Sequence, residues 1–155
     1  MTARAVRRLA LAAALALSVA VAAQGTRRDL RADEALGGHT LARHVGKTDA
    51  ELAARLRREP QISAASTYTD RAAAERSVGV ALGTAGRELT NWERRTGKRP
   101  NLVLHYHASG GPPLGRSLAR GQTRAVPAFS AIVVLRWDER AGRYYVLTSY
   151  PEVER

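Results

Sequence analysis

The stretch AIVVLRWDERAGRYYVLTSY at residues 131–150 decides the fold class. Residues 131–137 and 142–150 are rich in β-branched and aromatic side chains, and the connection DERAG between them contains a glycine. Two β-forming runs joined by a short glycine-containing loop predict an antiparallel hairpin. The similar run NLVLHYHA at residues 101–108 predicts a further strand, and SGGPPLGRSLARGQTRAVP at residues 109–127 predicts a loop with one small edge strand.

The preceding half of the chain has a helical pattern. Residues 26–46 predict one or two short helices interrupted by a pair of glycines, and TDAELAARLRREP at residues 48–60 predicts a helix. In that helix, Thr48 and Glu51 have the spacing of a capping box, and Pro60 marks its end.

A longer helix is predicted from about Thr69 or Asp70. Its apolar residues recur at helical spacing, while Gly83 and Gly86 predict a bend or a split. Helices followed by strands predict an α+β domain in which N-terminal helices pack on a C-terminal antiparallel sheet.

The chain of 155 residues corresponds to one domain, preceded by a predicted export signal. Residues 1–23 contain three arginines followed by an apolar run that ends in small residues, which is typical of a cleaved secretory signal peptide. We therefore expect an exported protein whose domain spans residues 24–155. An uncleaved signal would instead give a membrane-anchored interaction domain, whereas cleavage leaves no stable membrane association.

The strong positive charge points to a polyanionic ligand. The formal net charge is +11, and removal of residues 1–23, which hold three arginines and no acidic residue, leaves +8. Such a domain accumulates near nucleic acid, anionic lipid or an acidic partner. The chain contains no cysteine, so neither a disulfide nor a thiolate metal site is available, and the fold depends on its core.

Three common catalytic motifs are absent or incomplete. GKT at residues 46–48 resembles the end of a nucleotide-binding P-loop, but Leu41 stands where that motif requires glycine. His105 and His107 share a strand face in HYH, yet no neighbouring sequence pattern completes a metal site, and we predict none. There is no G-x-S-x-G nucleophile elbow.

The first candidate half-site lies around residues 44–55. RNA cleavage without metal needs a base, an acid and donors that stabilise a charged phosphate. His44 precedes the helix that starts at Thr48, so it is a candidate to face an anion held by that helix start, and Arg55 lies at the edge of the helix's apolar stripe. From the spacing alone, an ordinary surface ion pair between Glu51 and Arg55 is the preferred interpretation of this arginine.

The second candidate half-site lies in the last predicted strand. Alternation along a strand places Tyr144, Val146, Thr148 and Tyr150 on one face, so that the threonine and the last tyrosine point the same way. A strand that simply carries hydroxyl groups is the alternative interpretation.

Four stretches together resemble a known family. GGHTLARHVGKTDAELAARL, ISAASTYTDRAAAERSV, LGRSLARG and YYVLTSYP are similar to the RNase A-like toxin domain at the C-terminus of bacterial contact-dependent inhibition and related polymorphic toxins. The resemblance runs from about Leu30 to Pro151. It implies an RNase A-type fold without disulfides and metal-independent cleavage of RNA such as tRNA, with no cofactor.

The resemblance also implies roles for single residues. The family's functional positions fall on His44 as general base, Arg55 as the group that stabilises the phosphorane, Thr148 as a phosphate or base contact, and Tyr150 as a phosphate ligand or weak acid. His39 and Lys47 are additional candidates for substrate binding.

The same resemblance implies an RNA substrate and an immunity protein as partners, and we expect a monomer. A basic domain that binds RNA or another polyanion without turnover remains the alternative function. Either His105 or His107 is a candidate second histidine, although an exposed strand histidine fits that pattern too.

Overall fold

The computed structural model describes residues 27–154 of the protein, so the predicted signal peptide at residues 1–23 lies outside the described residues. The helices within this range are α1 (Leu30–Ala35), α2 (Thr40–His44), α3 (Asp49–Arg58) and α4 (Arg71–Glu93). The strands within it are β1 (Ala64–Tyr68), β2 (Leu102–His107), β3 (Gly115–Ala119), β4 (Val126–Ala128), β5 (Ser130–Asp138) and β6 (Arg143–Glu152).

The helix boundaries agree with the capping signals in the sequence. The Thr48 side chain accepts from the Glu51 backbone N–H while the Glu51 carboxylate accepts from the Thr48 N–H, which completes the capping box of α3. The Asp70 side chain caps α4 in the same region as predicted. Gly86 has φ +46° and ψ −116°, so this glycine, and not Gly83, interrupts the geometry of α4.

The α+β prediction is confirmed, but the strands form two antiparallel sheets and not one. One sheet has the order β1-β3-β4 and the other has the order β2-β5-β6. Strand β1 was not predicted, because its sequence AASTY is short and weakly patterned. The region expected to hold one edge strand supplies both β3 and β4, which pair with each other and extend the β1 sheet.

Each sheet packs one face against a helix. The larger core lies between α4 and the β2-β5-β6 sheet, where Val78 of α4 meets buried side chains such as Val133 and Leu135. A smaller core joins Leu52 and Leu56 of α3 to the β1-β3-β4 sheet. The apolar stripe of each helix therefore lies against one sheet, and the opposite face of each sheet remains available to line a cleft.

A bulge in β6 corrects one prediction about the last strand. The pairing of β5 with β6 shifts between Val134 and Leu135, which face Thr148 and Val146 respectively, so that Leu147 has no β5 partner. One extra residue reverses the alternation of faces. Tyr144 and Val146 therefore lie on the face opposite to Thr148 and Tyr150, and the prediction that all four share a face was wrong for the first two.

Candidate active site

A cavity of about 650 Å³ opens between the two sheets next to helices α2 and α3. The face of the β1-β3-β4 sheet that does not pack on α3 forms one wall, and β6 forms another wall. The lining residues that carry polar or titratable side chains are His39, His44, Arg55, Gln61, Ser63, Ser66, Ser117, Thr148, Tyr150 and Glu152. The fold thus brings His44, Arg55, Thr148 and Tyr150, which are distant in sequence, to one cavity.

His44 is the last residue of α2 and lies almost completely inside the protein. Only 5% of the residue is exposed, and its ring faces that of Tyr150 with centroids 5.3 Å apart. Burial, together with the positive charge of Arg55, lowers the pKa of His44 to about 3. The imidazole is therefore neutral at physiological pH, which is the protonation state that a general base requires.

The tautomer of His44 depends on which neighbour forms a hydrogen bond with Nδ1. The carbonyl oxygen of Ser66 and Nη1 of Arg55 each lie 3.4 Å from His44 Nδ1. A carbonyl only accepts and a guanidinium only donates, so the two contacts require opposite tautomers. When Nδ1–H donates to Ser66, Nε2 carries the lone pair and is able to take a proton.

Arg55 lies between the cavity and the carboxylate of Glu59, the residue that caps the end of α3. Its Nε is 3.2 Å from Glu59 Oε1, and its side chain is 19% exposed. The alternative of a Glu51–Arg55 surface pair is not what forms, because the Glu51 carboxylate is held by Thr48 in the capping box. The guanidinium also borders the cavity, with Nη1 3.4 Å from His44 Nδ1, while Glu59 partly balances its charge.

The start of α3 is not the anion site that the sequence suggested. The residues that line the cavity include Arg55 in the last turn of α3 but none from its first turn. That turn carries Asp49 and Glu51, and Asp49 pairs with Arg116. The carboxylates already offset the positive end of the helix, so Arg55 is the cationic group that α3 presents to the cavity.

Thr148 and Tyr150 line the cavity from β6. Within residues 27–154, Thr148 Oγ1 is one of two buried side-chain polar atoms that have no hydrogen-bond partner. A buried hydroxyl without a partner is unfavourable unless a ligand or water meets it. Tyr150 is half-buried, and burial raises its pKa above the usual value, so the hydroxyl keeps its proton at neutral pH.

The two additional candidates lie in different places. His39 lines the same cavity, where burial and the nearby Arg43 lower its pKa. Lys47 does not line this cavity and instead borders a neighbouring groove of about 360 Å³ along α3. Arg55 borders both spaces, so the groove and the cavity adjoin at that residue.

The two strand histidines lie outside the cavity. His105 and His107 are largely exposed on β2 and approach carboxylates of the chain end, His107 with Nδ1 3.1 Å from Glu154 Oε1. Within residues 27–154, no cluster of three or more His, Cys, Asp or Glu side chains has the geometry to hold a metal ion. In the same range no helix is both long and apolar enough to cross a membrane.

Sequence reasoning missed the wall contributed by the smaller sheet. Ser66 of β1 and Ser117 of β3 are paired neighbours that line the cavity, and Val126 of β4 adds an apolar contact. Serine and small apolar residues occur on many surfaces, and β1 itself was not predicted. Alternation of Ala64, Ser66 and Tyr68 on one side of the short run is the signal that would have indicated this strand.

An α+β fold without cysteine, with a cleft between two antiparallel sheets that holds histidine, arginine and hydroxyl groups, defines a disulfide-free RNase A-like domain. Comparison with protein families agrees: the model of the bacterial CdiA-CT RNase A domain matches residues 38–151. This chain belongs to that family of bacterial RNase A-like toxin domains.

A solved structure is also similar to this chain. It is a crystal structure of a CdiA-CT/CdiI complex from Y. kristensenii 33638, with 30% sequence identity and a TM-score of 0.64. The match covers 75% of this chain and 100% of the other. A comparison with curated proteins finds no match. The resemblance recognised in the sequence is therefore confirmed at the level of family and fold.

Proposed function

We propose that this protein is a metal-independent endoribonuclease that cleaves RNA, with tRNA as a candidate substrate, by transesterification through the ribose 2′-OH. The observation that carries the proposal is the convergence of His44, Arg55, Thr148 and Tyr150 on one cavity. Membership of the CdiA-CT RNase A domain family supports the same reaction class. These four residues supply a base, a cation and two hydroxyl groups, which are the parts that the reaction needs.

In the proposed step, the 2′-oxygen attacks the adjacent phosphorus. The bond between the 2′-oxygen and phosphorus forms while the bond from phosphorus to the 5′-oxygen breaks. The 2′-OH proton passes to Nε2 of neutral His44, whose Nδ1–H is held by the Ser66 carbonyl. The departing 5′-oxygen receives a proton from a general acid, and the products are a 2′,3′-cyclic phosphate end and a 5′-OH end.

Arg55 and the β6 hydroxyl groups act on the phosphate. Arg55 is the cation of the cavity nearest to His44, so it stabilises the negative charge that grows on the pentavalent phosphorane. The unpartnered Oγ1 of Thr148 donates to a phosphate oxygen or contacts a base edge. Tyr150, whose hydroxyl remains protonated, is the candidate that orients the phosphate or acts as the acid.

Cleavage of tRNA by the purified domain in excess EDTA tests the proposal. The wild-type protein is expected to cleave and to leave 2′,3′-cyclic phosphate ends, while His44→Ala is expected to lose at least about 100-fold in rate. His105→Ala is the matched control, because this histidine is exposed on β2 and lies outside the cavity. Equal rates for His44→Ala and the wild type would refute the role of His44.

The binding-only alternative makes a different prediction in the same assay. A basic polyanion-binding domain would retain RNA in a filter-binding or gel-shift measurement and release no cleavage products. The net charge of +11 supports RNA affinity under both hypotheses, so affinity alone does not distinguish them. Turnover and the cyclic phosphate end are the deciding measurements.

We also propose that the protein acts as an exported toxin with a cognate immunity protein. The similar solved structure is a complex of a CdiA-CT with CdiI, which supports a partner that blocks the domain. Expression of residues 24–155 in a host without the partner is expected to stop growth, whereas the His44→Ala variant is not. Intact-mass analysis of the exported protein tests the signal: loss of residues 1–23 supports cleavage, and their retention supports a membrane-anchored form.

A further inference from the structure

One buried hydrogen bond joins the helix that carries His44 to the strand that carries Thr148 and Tyr150. The backbone N–H of Ser149 donates to Thr40 Oγ1 at 2.8 Å. Thr40 is the first residue of α2 and His44 is its last, four positions later, so both lie on the same face of this short helix. Thr40 and Ser149 are 1% and 0% exposed.

The segment of β6 at this point depends on contacts outside its own sheet. Leu147 has no partner on β5 because of the bulge, and its carbonyl oxygen accepts from the N–H of His39 at 3.0 Å. Residues at a bulge lose the ladder that fixes a regular strand. β6 is the edge strand of its sheet and Ser149 still pairs with Val133, so the N-terminal end of α2 adds two contacts along the free edge of β6. One is the backbone donor of His39 and the other is the side-chain acceptor of Thr40.

The side chain of Ser149 is fixed separately. Its Oγ donates to the carbonyl oxygen of Ile132 at 2.8 Å and accepts from the Tyr68 hydroxyl at 2.6 Å. These contacts hold Ser149 on the core side of the sheet, but they do not connect it to α2. The bond to Thr40 is thus the side-chain link between Ser149 and the helix of His44.

We infer that Thr40 is a positioning residue, which sets the placement of His44 relative to Thr148 and Tyr150 across the cavity. The inference rests on the proposed ribonuclease function and deepens it. Thr40 is not among the residues that line the cavity, so it acts through Ser149 and through its own helix, and not on substrate. Displacement of reacting groups by about 1 Å costs on the order of 100-fold in rate.

The test compares Thr40→Val with Thr40→Ser. Valine keeps the shape of threonine and removes the acceptor, whereas serine keeps the acceptor and removes a methyl group. We expect Thr40→Val to lower kcat on tRNA about 10- to 100-fold while KM changes less than about threefold. Thr40→Ser is expected to retain kcat within about threefold of the wild type.

A control variant separates positioning from loss of stability. Val78→Ala removes buried methyl groups from α4, in the core on the opposite side of the β2-β5-β6 sheet, and Val78 is not among the residues that line the cavity. It destabilises the fold by cavity formation, so it reports what reduced stability alone does to kcat. We expect Val78→Ala to keep wild-type kcat at a temperature where every variant is folded. If Thr40→Val fails to fold, Thr40→Ala is measured in the same comparison.

A spectroscopic measurement tests the inference independently of turnover. The His44 ring lies 5.3 Å from the Tyr150 ring, so its proton NMR signals carry a ring-current shift from Tyr150. Thr40→Val is expected to displace these signals, whereas Thr40→Ser and Val78→Ala are expected to leave them in place. Unchanged His44 signals, or wild-type kcat, in folded Thr40→Val would overturn the inference.

Failure of the proposed function has a different signature. If the wild-type protein cleaves no RNA in the EDTA assay, the ribonuclease proposal fails, while the NMR comparison still decides whether Thr40 fixes the relation of His44 to Tyr150. If the wild type cleaves and folded Thr40→Val cleaves equally well, only the role of Thr40 fails.

Discussion

The rings of His44 and Tyr150 lie 5.3 Å apart at an angle of 35°, although one comes from a helix near the start of the domain and the other from its last strand. Both groups are uncharged at neutral pH, because burial lowers the pKa of the histidine and raises the pKa of the tyrosine. A neutral imidazole accepts a proton and a protonated phenol donates one. The pair therefore has the protonation states of a base and an acid before substrate binds.

Two substrates with different leaving groups test whether Tyr150 is the general acid. We expect Tyr150→Phe to slow cleavage of RNA about 100-fold, because the departing 5′-oxygen needs a proton. A uridine 3′-phosphate p-nitrophenyl ester has a leaving group that departs without one, so with this substrate the loss is expected to be less than about fivefold. Equal losses with both substrates would assign Tyr150 to phosphate orientation. Tyr106→Phe, a half-buried tyrosine on β2 that does not line the cavity, is the control.

Removal of the Arg55 charge is expected to raise the pKa of His44. Burial is the largest cause that lowers this pKa and the charge of Arg55 is the second, so in Arg55→Met the value is expected to rise above about 3 and stay below 6.5. An NMR titration of the ring measures the change. Arg57→Met, on the exposed side of the same helix, is expected to leave it unchanged. A pKa of His44 that falls or stays constant in Arg55→Met would contradict the assigned electrostatics.

The buried neutral histidine also predicts how stability depends on pH. The pKa of His44 is about 3 in the folded protein, and an unfolded histidine titrates near 6.5. Below pH 6.5 the unfolded chain binds a proton that the folded protein does not, so stability decreases as the pH falls. Between pH 7 and 5 this histidine is expected to cost about 2 kcal/mol of unfolding free energy.

Denaturant unfolding at the two pH values measures that loss. His44→Gln is expected to show a decrease smaller by about 2 kcal/mol than the decrease of the wild type. His105→Gln alters an exposed side chain and is expected to behave as the wild type. The same pH dependence in His44→Gln and in the wild type would show that His44 is not held neutral by burial.

Elements whose determinants lie within a short stretch of the chain could be predicted from the sequence. The capping box at Thr48 and the cap at Asp70 predicted two helix starts, and the β-forming runs predicted the hairpin of β5 and β6. His44, Arg55, Thr148 and Tyr150 were named in advance, and the fold brings all four to one cavity.

Features that depend on contacts between distant segments were not predictable from local patterns. The bulge at Leu147 forms where the His39 and Thr40 region bonds to β6, and nothing within the β6 sequence indicates an extra residue. Strand β1 was not predictable either, because its sequence pattern is weak and the segment forms a strand by pairing with β3. Arg55 pairs with Glu59 and not with Glu51, because the Glu51 carboxylate is engaged in the capping box.

Gly115 and Gly83 differ in the space that surrounds them, so alanine is expected to have opposite effects on stability at the two positions. A Cβ at Gly115 would overlap the Thr67 carbonyl oxygen across the β1–β3 pair, whereas one at Gly83 would meet nothing within 4 Å. Gly115→Ala is expected to destabilise by more than about 3 kcal/mol, because the overlapping atoms belong to the backbone. Gly83→Ala is expected to stabilise α4 by roughly 0.5–1 kcal/mol. Thermal unfolding of both variants measures this, and a tolerated Gly115→Ala would contradict the β1–β3 register.

The groove that adjoins the cavity predicts where RNA phosphates beyond the cleaved bond lie. Lys47, Arg43 and Arg58 border this groove along α3, and Arg55 is shared with the cavity. A polyanion that reaches the cavity over Arg55 would place its next phosphates among these cations. Lys47→Gln and Arg58→Gln are therefore expected to raise KM for RNA severalfold and to leave kcat unchanged, because neither residue meets the reacting atoms.

The salt dependence of KM separates this contact from a general loss of positive charge. Each phosphate contact that is removed lowers the slope of log affinity against log salt by about 0.7 for single-stranded RNA. Lys98→Gln is the control, because it removes the same charge from the exposed segment between α4 and β2, and it is expected to change the slope little. If Lys47→Gln and Lys98→Gln alter KM and the slope equally, charge acts on RNA over the whole surface, and the groove is not its path.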